Sequence, residues 1–137
     1  MRDFKLLLIE HDAFDTMCFK RALLNLGLNN DVIIAGSASQ AVTLLLNQNT
    51  QESLERPYII FCDVDMPESN GVDFLSFVRA NSLLKNTIFY LCSSSFRRED
   101  IARARFNKVS GFINKFQLER GLSVTLKHLN MSRRLAA

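Results

Sequence analysis

At 137 residues the chain has the length of one domain, long enough to fold around its own core without a disulfide or metal staple. Its 47% apolar and 23% charged residues are those of a soluble globular protein, which excludes a disordered or collagen-like chain, and no apolar run is long enough to span a membrane. The net charge of +3 divides unevenly, with 7 Lys/Arg against 11 Asp/Glu in residues 1–96 and 10 against 3 in residues 97–137.

The elements follow in chain order. KLLLI (5–9) reads as a strand; Lys5 and Glu10 bracket only four apolar residues, too few for a signal peptide. A helix follows with Phe14, Met17, Cys18 and Ala22 at helical spacing and Gly27 as its stop, with Asp12 or Asp15 as the cap. DVIIA (31–35) is a second strand, and Ser37 caps a helix through AVTLLLNQ. The polar stretch NQNTQESLERP (47–57) is an exposed loop or helix extension before the third strand, YIIFC (58–62). GVDFLSFVRA places Val72, Leu75 and Val78 on one helix face. TIFYLC (87–92) is the fourth strand; the basic helix REDIARARFNK comes next, then GFIN (111–114) as a fifth strand. QLERGLSVTLKHLNM is the last helix, with Gly121 as a soft point, and SRRLAA (132–137) a flexible tail. The whole is expected to be one domain, 1–137, with its core at about 5–131.

All five strands are short and apolar on both faces, as parallel strands covered on two sides must be. Strict alternation with helices implies an α/β fold, a doubly wound five-stranded parallel sheet with helices on both faces. Such sheets bind ligands beyond the carboxyl ends of their strands. The residues there are Glu10-His11-Asp12, Asp63-Val64-Asp65, Ser93-Ser94-Ser95 and Lys115. Clustered carboxylates need a positive group between them, and hard oxygen donors suit Mg²⁺. With a lysine and a hydroxyl to hold an anion, the set makes a phosphoryl-transfer constellation with an aspartate as nucleophile. Cys18, Cys62 and Cys92 show no metal spacing and read as three buried thiols of a reducing, cytoplasmic compartment.

LLLIEHD, IIFCDVDMPESNG, LCSSS and SGFINK resemble the signature blocks of the response-regulator receiver domain (CheY-like, two-component signalling) over about Lys5 to Met131. The most specific block is Asp63-x-x-Met66-Pro67-x-x-x-Gly71, and the steps of thirty residues to Ser93 and twenty-two more to Lys115 also fit. The resemblance implies a flavodoxin-like sheet of order 2-1-3-4-5. It makes Asp63 the phosphoacceptor and Lys115 the phosphoryl contact, with Ser93 the reporting hydroxyl (Ser94 and Ser95 its rivals) and Phe112 the aromatic switch. Glu10, Asp63 and the backbone carbonyl of Asp65 would hold Mg²⁺ or Mn²⁺. Three positions depart from the pattern. His11 stands where the family carries a second acidic ligand, so His11 or Asp12 would complete the metal site, and imidazole suits Mn²⁺ or other transition metals better than Mg²⁺. Phe116 replaces a proline that sets the loop around Lys115, and Asp65 is an extra carboxylate.

What the resemblance implies is a stand-alone response regulator. It would take its phosphoryl group from a histidine kinase or phosphotransfer protein and, with no output domain in the chain, signal through a downstream protein partner. Beyond self-phosphorylation and autodephosphorylation no separate enzymatic activity is expected. Arg97, Arg98, Arg103, Arg105 and Lys108 are the candidate partner surface, on a helix 4–strand 5–helix 5 face that could also form a homodimer. Neither nucleic acid nor membrane is an expected partner, since no zinc finger or aromatic-interleaved basic run accompanies the charge. The alternative is a pseudo-receiver, an interaction module working without phosphate, suggested by His11 and Phe116. CDVD also resembles the Asp-x-Asp of haloacid-dehalogenase-type phosphohydrolases, with Asp63 as nucleophile and Asp65 as acid/base. Those enzymes need acidic ligands late in the domain, where only Glu119 follows Lys115.

Overall fold

The computed structural model describes residues 5–28, 32–46 and 58–136, with side chains as far as 127. Strands β1 (Lys5–Ile9), β2 (Val32–Ala35), β3 (Tyr58–Asp63), β4 (Ile88–Ser93) and β5 (Gly111–Asn114) form one parallel sheet in the order β2-β1-β3-β4-β5. Asp31, expected in β2, lies outside the described residues. β3 and β4 each run one residue further than their apolar runs, and Asp63 pairs in register with Cys92, Ser93 with Asn114.

Side chains alternate across the sheet. Leu7, Ile9, Ile60, Cys62, Phe89 and Leu91 pack on one face, and Leu6, Leu8, Ile59, Phe61, Tyr90 and Ile113 on the other. Each Leu, Ile and Phe among them contributes about 1.5–3 kcal/mol when fully buried. Against the first face lie α3 (Gly71–Ala80), through Val72, Leu75 and Val78, and α4 (Arg98–Phe106), through Ala104. Ala41 of α2 (Ala38–Leu46) joins them, and Ser37 Oγ accepts from Gln40 N at 3.1 Å at the start of that helix. The opposite face takes α1 (Ala13–Asn25), through Phe19, Ala22 and Leu23, and α5 (Leu118–Ala136), through Leu122. The segment 47–57 lies outside the described residues.

Asp12 caps α1, its carboxylate accepting from Asp15 N at 2.9 Å. At the other end Leu28 N donates to Leu23 O and Gly27 N to Leu24 O, a Schellman closure with Gly27 at φ 74°. The face expected for α1 is corrected: Phe14 and Met17 are 65% and 51% exposed, Cys18 is half-buried, and Phe19 and Leu23 go inward with Ala22. Two overlapping helical stripes share Ala22, and the ring of Phe61, 5.1 Å from that of Phe19, selects between them.

The last helix also differs from expectation. Its backbone continues to Ala136, through the residues expected as a flexible tail, and Arg133, Arg134, Leu135 and Ala136 are all good helix formers. Gly121 is also a close approach, since a Cβ there would sit 3.0 Å from Ile113 Cγ2 of β5.

Arg79, at the end of α3, is a pin that its sequence context does not announce. Its guanidinium donates to the backbone carbonyls of Lys85 (3.0 Å), Thr87 (2.7 Å), Asn107 (3.1 Å) and Lys108 (3.0 Å). One side chain thus fastens the turn before β4 to the end of α4.

Candidate functional site

The carboxyl ends of β1, β3 and β5 deliver Glu10, Asp63 and Lys115 to one cleft of about 500 Å³, with His11, Ser94 and Phe116 in its lining. Glu10 and Asp63 are buried, with side chains 3% and 4% exposed. Two buried carboxylates this close need a counter-charge, and Lys115 supplies it. Its Nζ lies 2.7 Å from Glu10 Oε1, 3.0 Å from Asp63 Oδ1 and 2.9 Å from Asp15 Oδ2. Burial works against the ammonium, but the hydrogen bonds to Glu10, Asp15 and Asp63 outweigh it, and the Lys115 pKa is raised. Burial raises the Glu10 pKa, with the charge of Asp63 adding to it and Lys115 opposing.

The remaining oxygens face elsewhere. His11 Nδ1 lies 3.7 Å from Glu10 Oε2 and 3.6 Å from Asp63 Oδ2. Potential ligand atoms of Glu10, His11 and Asp63 all fall within 4.8 Å of one another. Two carboxylate oxygens and an imidazole nitrogen at that spacing fit a divalent cation. Asp12 does not join them: its carboxylate caps α1, and its amide donates to Glu10 Oε2 at 3.3 Å.

Gly71 explains why the acceptor loop can turn so tightly. Its N donates to Val64 O at 2.8 Å, and a Cβ at this position would overlap the carbonyl oxygen of Asp63. Asn70 caps α3 by accepting from Val72 N at 2.6 Å. The amide of Asp65 donates to Asp63 Oδ1 at 3.2 Å, while the exposed carboxylate of Asp65 pairs with Arg97 at 3.5 Å. Asp65 thus spends its charge on the β4–α4 loop.

Ser93 is buried at the end of β4, where its hydroxyl donates to Ser95 O and accepts from Ser95 N, both at 3.0 Å. Ser94, its expected rival, lines the cleft. Phe112 is half-buried, its ring 5.1 Å from that of Phe96 in an edge-on arrangement and 5.9 Å from the Arg105 guanidinium. Phe116 follows Lys115 through a trans peptide into a short 3₁₀ turn (Lys115–Gln117) and is 81% exposed. Asn114 accepts from Phe116 N at 2.8 Å and closes that turn, so a side-chain cap holds the loop where a proline was expected.

The expected basic surface is partly consumed. Arg97 pairs with Asp65 and with Asp100, and Arg103 with Asp73 and Asp100. Arg98, Arg105 and Lys108 are exposed, with no carboxylate partner among the described residues. Two acidic residues, one on α4 and one on α1, have roles that the sequence pattern does not announce. Asp100 is 5% exposed and also accepts from Asn70 Nδ2 at 3.4 Å, tying α4 to the acceptor loop. Asp15, weighed only as a helix cap, holds Lys115 from α1. The single available signal was an acidic residue one helical turn past a strand end.

No protein-family model matches the chain. Response regulator Rcp1 of Synechocystis sp. (strain ATCC 27184 / PCC 6803 / Kazusa) is 23% identical over 110 residues, 80% of this chain and 75% of its own. The response regulator receiver domain from Rhodospirillum rubrum superposes with a TM-score of 0.76 at 16% identity, covering 89% of this chain and 94% of that one. The Mn²⁺-bound form of response regulator Rcp1 does so with a TM-score of 0.68 at 20% identity, over 82% and 81% of the two chains. In sequence and in fold the chain resembles the CheY-like receiver domains of two-component response regulators.

Proposed function

We propose that this chain is a working receiver of a two-component or phosphorelay system, one that takes a phosphoryl group on Asp63 from a histidine kinase or phosphotransfer protein. The observation that carries the reading is the contact of Lys115 Nζ with Asp63 Oδ1 at 3.0 Å, inside a buried cluster that also holds Glu10. In the reaction a carboxylate oxygen of Asp63 attacks the phosphorus of the donor phosphohistidine. The P–N bond breaks, its electron pair leaves with the imidazole, and an acyl phosphate forms on Asp63. Lys115 neutralises charge on the transferred group, and the buried walls of Leu8 and Cys92 limit access of water. A divalent cation held by Glu10, Asp63 and the Asp65 carbonyl, Mg²⁺ or Mn²⁺, would supply further charge neutralisation at the phosphoryl oxygens.

Phosphorylation would draw Ser93 away from its bonds to Ser95 and loosen the packing of Phe112 on Phe96, repacking the α4–β5–α5 face. Exposed Arg98, Arg105 and Lys108 give that face its positive charge for an acidic protein partner or a second copy of the chain. Among the described residues no helix is long and apolar enough to cross a membrane, and a cytoplasmic site of action suits three free cysteines.

Intact-mass spectrometry after incubation with acetyl phosphate tests the reading, in Mg²⁺, in Mn²⁺ and in chelator. One added phosphoryl group, absent in chelator and in Asp63→Asn, is the expected result. No adduct with any ion, together with no binding of beryllofluoride and no transfer from a phosphorylated kinase, would leave the pseudo-receiver.

A further inference from the structure

The two buried carboxylates of the site divide their oxygens between two neighbours. Glu10 Oε1 and Asp63 Oδ1 go to Lys115, at 2.7 and 3.0 Å. Glu10 Oε2 and Asp63 Oδ2 turn to the other side, where His11 Nδ1 stands 3.7 and 3.6 Å away. The oxygens not engaged by Lys115 are therefore the pair that faces an imidazole, Glu10 Oε2 also accepting from Asp12 N at 3.3 Å. His11 is 39% exposed against 3% and 4% for the two carboxylates, so its ring forms the solvent side of the cluster. The alternative carboxylate, Asp12, is held at the N-terminus of α1 by its bond from Asp15 N.

Resting on the receiver reading for the presence of an ion, we infer that His11 Nδ1 is a direct ligand and that the site is selective for a borderline transition-metal cation such as Mn²⁺ over Mg²⁺. The chemistry behind this is ligand matching. Mg²⁺ takes oxygen donors in near-ideal octahedral geometry and keeps several waters. Imidazole nitrogen binds the first-row transition ions more strongly, in the order Mn²⁺ < Fe²⁺ < Co²⁺ < Ni²⁺. The mixed set also carries one negative charge fewer than a cluster with a third carboxylate, which penalises a strongly hydrated ion most.

The test is binding rather than turnover. Mn²⁺ affinity is measured by electron paramagnetic resonance, and Mg²⁺ affinity by its competition with Mn²⁺. The proteins are wild type, His11→Asp, His11→Ala and Asp63→Asn, each checked for a single cooperative melting transition above the assay temperature. Wild type is expected to favour Mn²⁺ over Mg²⁺ by well over tenfold, and His11→Asp to narrow that ratio by about tenfold, mainly by gaining Mg²⁺. Pulsed spectra of the Mn²⁺ complex should show a directly bound ¹⁴N nucleus in wild type and none in His11→Ala. A ratio unmoved by His11→Asp, or no nitrogen coupling in wild type, overturns the assignment. If this occurs while acetyl phosphate still labels Asp63 in Mg²⁺, the receiver function stands and only the role of His11 falls. If neither ion binds wild type, the inference falls, and acetyl-phosphate labelling decides the receiver reading separately.

Discussion

Lys115 Nζ donates to Asp63 Oδ1 at 3.0 Å although the residue after it is Phe116 and not proline. The loop is held instead by Asn114, which accepts from Phe116 N, and the lysine itself by Asp15 and Glu10. Removing the ammonium leaves carboxylates facing one another without a counter-charge, two of them buried. Lys115→Met should therefore destabilise the metal-free domain by about 3 kcal/mol near neutral pH. The folded pKa of Lys115 is raised above 10.5, so its stabilisation is full below pH 10.5 and is lost as pH climbs through the folded value. Urea denaturation of both proteins at pH 7.5 and at the alkaline limit of reversibility checks this. The difference between them should shrink only at the alkaline end.

Glu10 makes the opposite contribution. Its carboxyl pKa is raised from 4.5, first by burial and then by Asp63. The folded protein accordingly binds a proton more readily than the unfolded chain, and stability falls as pH rises through this range. Glu10→Gln, which mimics the protonated carboxyl, should melt higher than wild type at pH 7 in chelator. The advantage should close as pH drops below 4.5, where Glu10 is protonated in both states. Adding Mn²⁺ should stabilise wild type and leave the variant nearly unchanged, since the single amide oxygen of Gln cannot serve Lys115 and the cation together.

Gly71 ties the acceptor strand to α3. A methyl group at this position meets the backbone of Asp63 and Val64, which cannot swing aside as a side chain can. Gly71→Ala should cost about 2–3 kcal/mol, with its largest amide shifts in NMR spectra confined to 62–72. A variant as stable as wild type would mean that α3 slides freely relative to Asp63.

The parts of the molecule written in short motifs were legible in the sequence. Strand ends are marked by an abrupt change from apolar to polar or charged residues, so Glu10, Asp63 and Lys115 are placed on one edge by the sequence pattern alone. Their cohesion could not be read. Asp15 and Lys115 are a hundred residues apart, and nothing local distinguishes Asp15 from any acidic residue in a first helical turn. The stripe on α1 was misread because Ala22 belongs to two stripes, and only Phe61 decides between them. Asp100 looks like a solvated helix charge in a basic segment, yet it is buried against Asn70, Arg97 and Arg103. In each case the deciding partner lies on another element.

The cysteines next to the site give a further check. Burial pushes the Cys62 thiol well up, with Cys92 and Asp63 adding to it; burial also pushes up the Cys92 thiol, against the pull of Lys115. Both shifts disfavour the thiolate, so neither thiol should act as a redox switch at neutral pH. Cys18 is half-buried beside the cleft. Iodoacetamide at pH 8 should label Cys18 and leave Cys62 and Cys92 unmodified until urea unfolds the chain, as peptide mass mapping will report.

Arg79 and Lys108 set the stability of the sheet's far end. Lys108 sits at φ 56°, a left-handed conformation that costs an L-residue about 1–2 kcal/mol. It is the residue that closes α4, with Lys108 N donating to Arg105 O and Val109 N to Ala104 O. Arg79 Nη2 donates to its carbonyl at 3.0 Å and holds the turn in place. Lys108→Gly should therefore stabilise the domain by about 0.5–1 kcal/mol. Arg79→Ala strips a donor from four carbonyls and should cost about 2–3 kcal/mol. The two residues share one turn, so the double variant should depart from additivity by about 0.5 kcal/mol or more. Thermal and urea denaturation of the four proteins provides the cycle, and strict additivity would mean that the Arg79 bond to the Lys108 carbonyl is indifferent to the conformation of Lys108.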